Sequence, residues 1–180
     1  MTCPEEIIQI QNNAEQLYTA AQLDFAIQQM AASINAQLSN QNPLCLCILN
    51  GAIILTGKLL PLLCFPLNLD SIHVSRYGQK TVGSQLNWLY RPATPVTNRT
   101  ILVIDDILDH GMTLAAVKQH CLQHGAKTVY SAVLVNKLID REKPVNVDFV
   151  GVNTDNRYLF GYGMDYKGYL RNAPGLFACN

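Results

Sequence analysis

Residues 101 to 114, Ile-Leu-Val-Ile-Asp-Asp-Ile-Leu-Asp-His-Gly-Met-Thr-Leu, constrain the fold more than any other stretch of the chain. Ile101 to Ile104 is a continuous apolar run, the pattern of a strand buried on both faces of a parallel sheet. Two adjacent carboxylates, Asp105 and Asp106, follow where that strand should emerge. The turn Asp109-His110-Gly111-Met112-Thr113 comes next, and then a helical pattern with Leu114, Val117, Cys121 and Leu122 on one side. A turn leading into a helix N-terminus presents free backbone N–H groups and a positive dipole end, which favours phosphate. Paired carboxylates just before it suit polyol hydroxyls or a hard cation such as Mg²⁺. The combination points to a site for a phosphorylated sugar.

The same alternation of strand and helix runs through the rest of the chain. Thr19 to Gln22 reads as a capping box, and Leu23, Ile27, Met30, Ile34 and Leu38 then recur at helical spacing through residue 39. Leu44 to Leu49 reads as a buried strand and Ala52 to Leu63 as a helix behind it. A strand is expected over 67–75, a mobile loop over Gly78 to Ser84, and a returning strand over Gln85 to Tyr90. Strand 100–106, helix 112–124, strand 128–136 and strand 147–152 complete the series, with Gly125 as a helix stop. Such alternation implies a parallel sheet with right-handed crossovers. Ligands of these sheets bind beyond the carboxyl ends of the strands. Asn50-Gly51, Asp105-Asp106 and Lys137 all fall at such ends, which is independent support for one composite site.

Composition narrows the function classes. Apolar residues make up 49% of the 180, enough for one well-filled core. Lys plus Arg and Asp plus Glu balance at 13 each, which argues against a general nucleic-acid binder. No Cys-x-x-Cys pair occurs among Cys3, Cys45, Cys47, Cys64, Cys121 and Cys179, so a zinc framework is not expected. This cysteine usage fits a reducing cytoplasm. The N-terminus lacks the pattern of a signal peptide. Asn50, Gly51, Lys58 and Pro61 break the apolar stretch 44–65, so no membrane span is expected there.

The 101–114 segment resembles the 5-phosphoribosyl-1-pyrophosphate (PRPP) motif of type I phosphoribosyltransferases. Further pieces are similar to the hypoxanthine-guanine phosphoribosyltransferases: Leu49-Asn50-Gly51 to their pyrophosphate loop, Ser75-Arg76-Tyr77-Gly78 to the start of their flexible catalytic loop, and Leu134-Val135-Asn136-Lys137 to their purine-reading segment. Tyr158 to Tyr166 resembles their base-binding hood. The resemblance implies an α/β chain with the type I phosphoribosyltransferase fold: a central, mostly parallel sheet flanked by helices, with a small hood subdomain. Residues 1–180 would form one domain, the hood coming from the N-terminal segment and residues near 153–180. The implied reaction joins hypoxanthine, and guanine, to PRPP with Mg²⁺, giving IMP or GMP and pyrophosphate, in a homodimer or homotetramer.

By the same resemblance each site residue receives a role. Asp105 and Asp106 would hold the ribose hydroxyls, and Asp109 would be the general base. His110, Gly111, Met112 and Thr113 would wrap the 5′-phosphate. Asn50, Gly51 and Arg171 would bind pyrophosphate, while Ser75, Arg76 and Tyr77 would close over the reaction. Lys137 would donate to the purine 6-oxo group, Tyr158 would stack on the ring, and the Leu159 backbone would meet its edge. Asp165, with Asp105 and Asp106, would serve the metal. Taken by itself, Asp109 also suits a cap for the helix that follows, Lys137 a solvated strand end, and Tyr158 a core aromatic.

Two positions depart from the family pattern. Asn50 stands where many relatives carry Lys or Arg, and the acidic pair is Asp-Asp where Glu-Asp is common. Two rival readings stand beside the enzyme. One is a non-catalytic regulator that keeps the fold to sense PRPP or nucleotides; the set Asp109, Lys137, Asp165 and Arg171 argues against it. The other is a phosphorelay receiver domain, whose first strand Ile101 to Asp106 also resembles; too little chain follows Asp106 for that fold.

Overall fold

A computed structural model describes residues 4–76 and 86–179. From the N-terminus the elements are α1 (Glu5–Asn13), β1 (Glu15–Thr19), α2 (Ala20–Leu38), β2 (Leu44–Leu49), α3 (Ile53–Leu59), a 3₁₀ turn (Leu60–Leu62) and β3 (Asn68–Arg76). They continue with β4 (Leu86–Tyr90), β5 (Thr100–Leu108), α4 (Met112–Gln123), β6 (Thr128–Lys137), β7 (Phe149–Thr154), β8 (Leu159–Phe160) and β9 (Gly175–Ala178). Six strands form the main sheet in the order β4-β3-β2-β5-β6-β7. All its pairings are parallel except that of β3 with β4.

The apolar runs form the central strands because both sheet faces are covered. Along β5, Leu102 and Ile104 join one buried cluster with Leu23, Ile27 and Ile34 of α2 and Leu55 of α3. Ile101 and Val103 face the other way and join Leu114, Val117 and Cys121 of α4. Burial of alternate residues on opposite faces is what a doubly covered strand requires. Leu122 does not belong to the α4 face as expected; it is 53% exposed. The capping box of α2 is present: Thr19 Oγ1 accepts from the Gln22 N–H at 3.3 Å, and Gln22 Oε1 accepts from the Thr19 N–H at 2.8 Å.

Several boundaries differ from the sequence reading. The helix expected through Leu63 leaves α geometry at Leu59 and tightens into the 3₁₀ turn, which contains Pro61. Proline has no N–H to donate to the preceding turn of an α-helix. Strand β5 does not end at the acidic pair; Ile107 and Leu108 still pair with Val135 and Asn136 of β6. Asp105 and Asp106 are therefore strand residues. Strand β7 starts and ends two residues later than expected, at Phe149 and Thr154. Gly125 does follow the end of α4, with φ of +83°, a left-handed conformation in which a side chain would be strained.

A second, antiparallel sheet of order β1-β9-β8 was not foreseen as strands. Tyr18 Oη on β1 donates to the Asn153 carbonyl at 3.0 Å, tying this sheet to the end of β7. Tyr162, just after β8, hydrogen-bonds through its hydroxyl to Asp24 of α2, which also pairs with Lys58 of α3 at 2.8 Å. The small sheet is thus held over the edge of the large one where β2, β5 and β6 end. No helix among the described residues is long and apolar enough to cross a membrane.

Candidate active site

Parallel pairing brings the carboxyl ends of β2, β5 and β6 to one edge, and the chemically active side chains collect there. A cavity of about 220 Å³ is lined by Asp106, Ile107, Asp109, Lys137, Tyr158, Leu159, Met164 and Asp165. Six of these residues were singled out from sequence. Ile107 and Met164 were not; both are apolar neighbours of the polar positions that carried the motifs.

Asp109 and Lys137 project from the ends of adjacent strands. Lys137 Nζ lies 3.6 Å from Asp109 Oδ2. Lys137 is buried, at 8% exposure, so this lysine is not a solvated strand end. Asp109 Oδ1 is enclosed and accepts no hydrogen bond among the described residues. His110 Nδ1 approaches it only to 3.6 Å. Nor does Asp109 cap the helix: the N-cap of α4 is Gly111, with φ of +77° and no side-chain cap. A buried carboxylate oxygen without a donor is costly unless something else supplies one.

The turn after β5 opens into α4. The first N–H groups of α4, from Met112 onward, have no partner inside the helix and face the turn. Gly111 is closely covered there: an added Cβ would meet Val145 at 3.1 Å. Thr113 is half-buried, whereas Met112 is 57% exposed. His110 pairs with Arg141 at 2.8 Å through Nε2, so its ring leans toward the loop after β6.

The acidic pair divides its roles by burial. Asp105 is buried, and its Oδ1 accepts the Asp106 N–H at 3.0 Å. Asp106 is half-buried as a residue, yet the protein packed around its carboxyl pushes its pKa up. The Asp105 side chain and the nearby Arg171 charge work against that rise. Gly51 backs directly onto Asp106: a Cβ on Gly51 would fall 1.9 Å from Asp106 Oδ2. Gly163 in turn sits on Gly51, where a Cβ would fall 2.1 Å from the Gly51 carbonyl oxygen. The Leu49–Asn50 peptide that leads into this contact is cis.

Arg171 closes the far side. It donates to the Gly163 carbonyl at 2.6 Å and pairs with Asp165 Oδ1 at 2.6 Å. Asp165 Oδ2 accepts the Gly168 N–H at 2.7 Å. Tyr158 is 54% exposed and meets Tyr166 edge-on at 5.4 Å, so it is not a core aromatic. Its hydroxyl pKa is raised by burial and then by the Asp165 charge. Ser75 and Arg76 end β3 at this same edge as backbone. Tyr77 and the loop read over Gly78 to Ser84 lie outside the described residues.

The three carboxylates expected at a metal do not form a closed cage. Among the described residues no three His, Cys, Asp or Glu side chains gather as a metal-holding group. Asp165 is instead engaged by Arg171.

The family model described as the phosphoribosyl transferase domain matches residues 13–167. The chain belongs to the phosphoribosyltransferase family. This phosphoribosyltransferase is 31% identical over 160 residues to the hypoxanthine-guanine-xanthine phosphoribosyltransferase of Tritrichomonas foetus, a match covering 88% of the chain and 87% of that protein. It is 29% identical over 159 residues to the hypoxanthine-guanine phosphoribosyltransferase of Bacillus subtilis, covering 88% of each. Among solved structures, the hypoxanthine phosphoribosyltransferase of Trypanosoma cruzi in complex with the product IMP superposes with a TM-score of 0.85 at 25% identity, over 93% of this chain and 94% of that one. The phosphoribosyltransferase has the type I fold, a mostly parallel central sheet with helices on both faces.

Proposed function

We propose that this phosphoribosyltransferase salvages purines, transferring the phosphoribosyl group of PRPP to hypoxanthine, and to guanine, with release of pyrophosphate. One observation carries the reading. Asp109 offers an enclosed oxygen without a donor, beside a buried lysine, in a cavity walled by Tyr158. A 6-oxopurine supplies what each group lacks: an acidic ring N–H for Asp109, an acceptor for Lys137 and a flat face for Tyr158. Adenine presents a donor where Lys137 needs an acceptor, which sets two donors against each other at a buried site.

In this reading the turn from Asp109 to Thr113, with the α4 N-terminus, holds the 5′-phosphate through His110, Gly111 and Met112 backbone groups and the Thr113 hydroxyl. Asp105 and Asp106 orient the ribose hydroxyls. Asn50, Gly51 and Arg171 receive the pyrophosphate, Arg171 through its planar fork of donors. The bond from the anomeric carbon to pyrophosphate breaks, the bond to the purine nitrogen forms, and that nitrogen's proton passes to Asp109. Positive charge develops on the ribose as the leaving group departs, as in glycoside cleavage. The Leu159 backbone meets the purine edge.

The donor set fits Mg²⁺. Asp105, Asp106 and Asp165 offer hard carboxylate oxygens, and Mg²⁺ characteristically binds through one or two carboxylates, water and substrate phosphates rather than an all-protein cage. Bound there, the ion would neutralise charge on the leaving pyrophosphate. Asn50 is uncharged where many relatives carry Lys or Arg, which puts more of the pyrophosphate binding on backbone groups and Arg171. A cytoplasmic setting belongs to the same reading, supported by five free cysteines among the described residues. So does self-association as a dimer or tetramer, as the family resemblance implies.

Incubation with PRPP, Mg²⁺ and hypoxanthine tests the reading. IMP and pyrophosphate should appear in equal amounts, and chelation of divalent cations should abolish both. PRPP binding without nucleotide formation from any 6-oxopurine would overturn it.

A further inference from the structure

Lys143 belongs to none of the motifs, yet its ammonium is fully engaged beside the site. Lys143 Nζ donates to the Leu108 carbonyl at 2.9 Å, to Asn136 Oδ1 at 2.8 Å and to the Lys137 carbonyl at 2.5 Å. An ammonium has three donors, and each is used. Leu108 is the residue before Asp109, and Asn136 is the residue before Lys137. Leu108 and Asn136 also face each other as the last pair between β5 and β6. The lysine therefore clamps two strand ends at the point where Asp109 and Lys137 leave them.

The loop that carries Lys143 is itself fixed on the site. Pro144 follows, which restricts the Lys143 backbone to extended conformations. Pro144 and Val145 rest against Gly111, where an added Cβ would meet them at 3.5 and 3.1 Å. Burial depresses the Lys143 pKa; the Asp109 charge raises it and the Lys137 charge lowers it further, so the three groups share one electrostatic neighbourhood. Lys143 does not itself line the cavity, so its effect passes through the residues it holds, Lys137 among them.

We propose that Lys143 is a positioning residue for base recognition, setting the aim of Lys137, and with it Asp109, at the purine by fixing the Leu108, Asn136 and Lys137 backbone corner. The proposal rests on the reading of Lys137 as the group that meets the 6-oxo oxygen. Without the clamp the three acceptors lose their donor, and the lysine that reads the base gains freedom. PRPP binding depends on the α4 turn and the β2 loop, and the Lys143 ammonium donates to neither; the turn is held instead by Pro144 and Val145 against Gly111.

Steady-state kinetics on Lys143→Met and Lys143→Arg, with melting curves for both, test this. For Lys143→Met, the KM for hypoxanthine should rise about tenfold, the loss expected for charged hydrogen bonds at a buried site, while the KM for PRPP stays within about twofold. Lys143→Arg keeps the charge and several donors and should recover part of the hypoxanthine KM. Unchanged hypoxanthine KM in Lys143→Met would overturn the proposal. So would parallel losses for hypoxanthine and PRPP with a lowered melting temperature, which would make Lys143 a general stabiliser of the loop. A wild-type protein that forms no nucleotide from any 6-oxopurine would instead remove the reading of Lys137, a distinct failure that takes the proposal with it.

Discussion

The carboxylate of Asp109 and the ammonium of Lys137 meet at 3.6 Å from the ends of neighbouring strands. Neither is near the other in sequence; the parallel register of β5 on β6 brings them together, with Leu108 opposite Asn136. One group can take a proton and the other can give a hydrogen bond, at a spacing that a purine ring spans. The sheet thus supplies the geometry and the two side chains supply the chemistry.

Replacing Asp109 by alanine should lower kcat by about 10²- to 10⁴-fold, the usual range for a lost general base. PRPP affinity should change little, because the phosphate-binding turn keeps its Gly111 conformation and the α4 N-terminus. Rapid-quench measurement of nucleotide formation together with PRPP titration separates the two effects. Turnover equal to wild type would remove Asp109 from the base role.

Gly51 leaves no room for a side chain. In Gly51→Ala, the new Cβ would lie 1.9 Å from Asp106 Oδ2, so Asp106 must turn away from its place. Affinity for PRPP should fall at least about tenfold, with a stability loss of about 1–3 kcal/mol from overpacking. Gly163→Ala makes the contrast: its Cβ would strike the Gly51 backbone oxygen at 2.1 Å, and φ there is +108°. That variant should lose more stability than Gly51→Ala. Denaturant melts and PRPP titration of the pair check both statements; wild-type affinity in Gly51→Ala would contradict them.

Asp106 should make the ligand-free protein less stable as pH rises. Its folded pKa is raised above the ordinary 3.8 by burial, so the folded state binds the proton more tightly than the unfolded chain does. The resulting stabilisation is fully present below the unfolded pKa and is lost as pH rises through the folded one. Asp106→Asn removes the buried charge, so its melting temperature should match wild type near pH 4 and exceed it increasingly toward pH 7, while PRPP binding is lost. Melting curves across that range decide it. A variant less stable than wild type at pH 7 would mean that Arg171 and Asp105 outweigh the cost of burial.

Much of this was legible in the chain because the relevant signals are local. Leu44 to Leu49 and Ile101 to Ile104 are apolar without interruption, and only a strand covered on both faces accommodates that. Thr19 and Gln22 announce α2 by their own side-chain chemistry. The small sheet was not legible: β1 pairs with β9 from the opposite end of the chain, and its burial shows no regular alternation. The extension of β5 through Leu108 was hidden for a related reason, since Val135 and Asn136 supply its ladder and two carboxylates mask the pattern. Lys143 gave no signal at all. A lysine in a polar loop looks solvated until the fold brings Leu108, Asn136 and Lys137 around it.

Base discrimination in Lys137→Met tests the central claim most directly. Initial rates with hypoxanthine and with adenine, at saturating PRPP and Mg²⁺, give kcat/KM for each base in wild type and variant. Wild type should prefer hypoxanthine by about 10⁴-fold or more, as sites that pair a buried donor with a substrate acceptor do. Lys137→Met should lose most of that preference through the hypoxanthine term, with the KM for PRPP nearly unchanged. Preference retained in the variant, or equal losses in base and PRPP affinity, would contradict the account of how this site reads its purine.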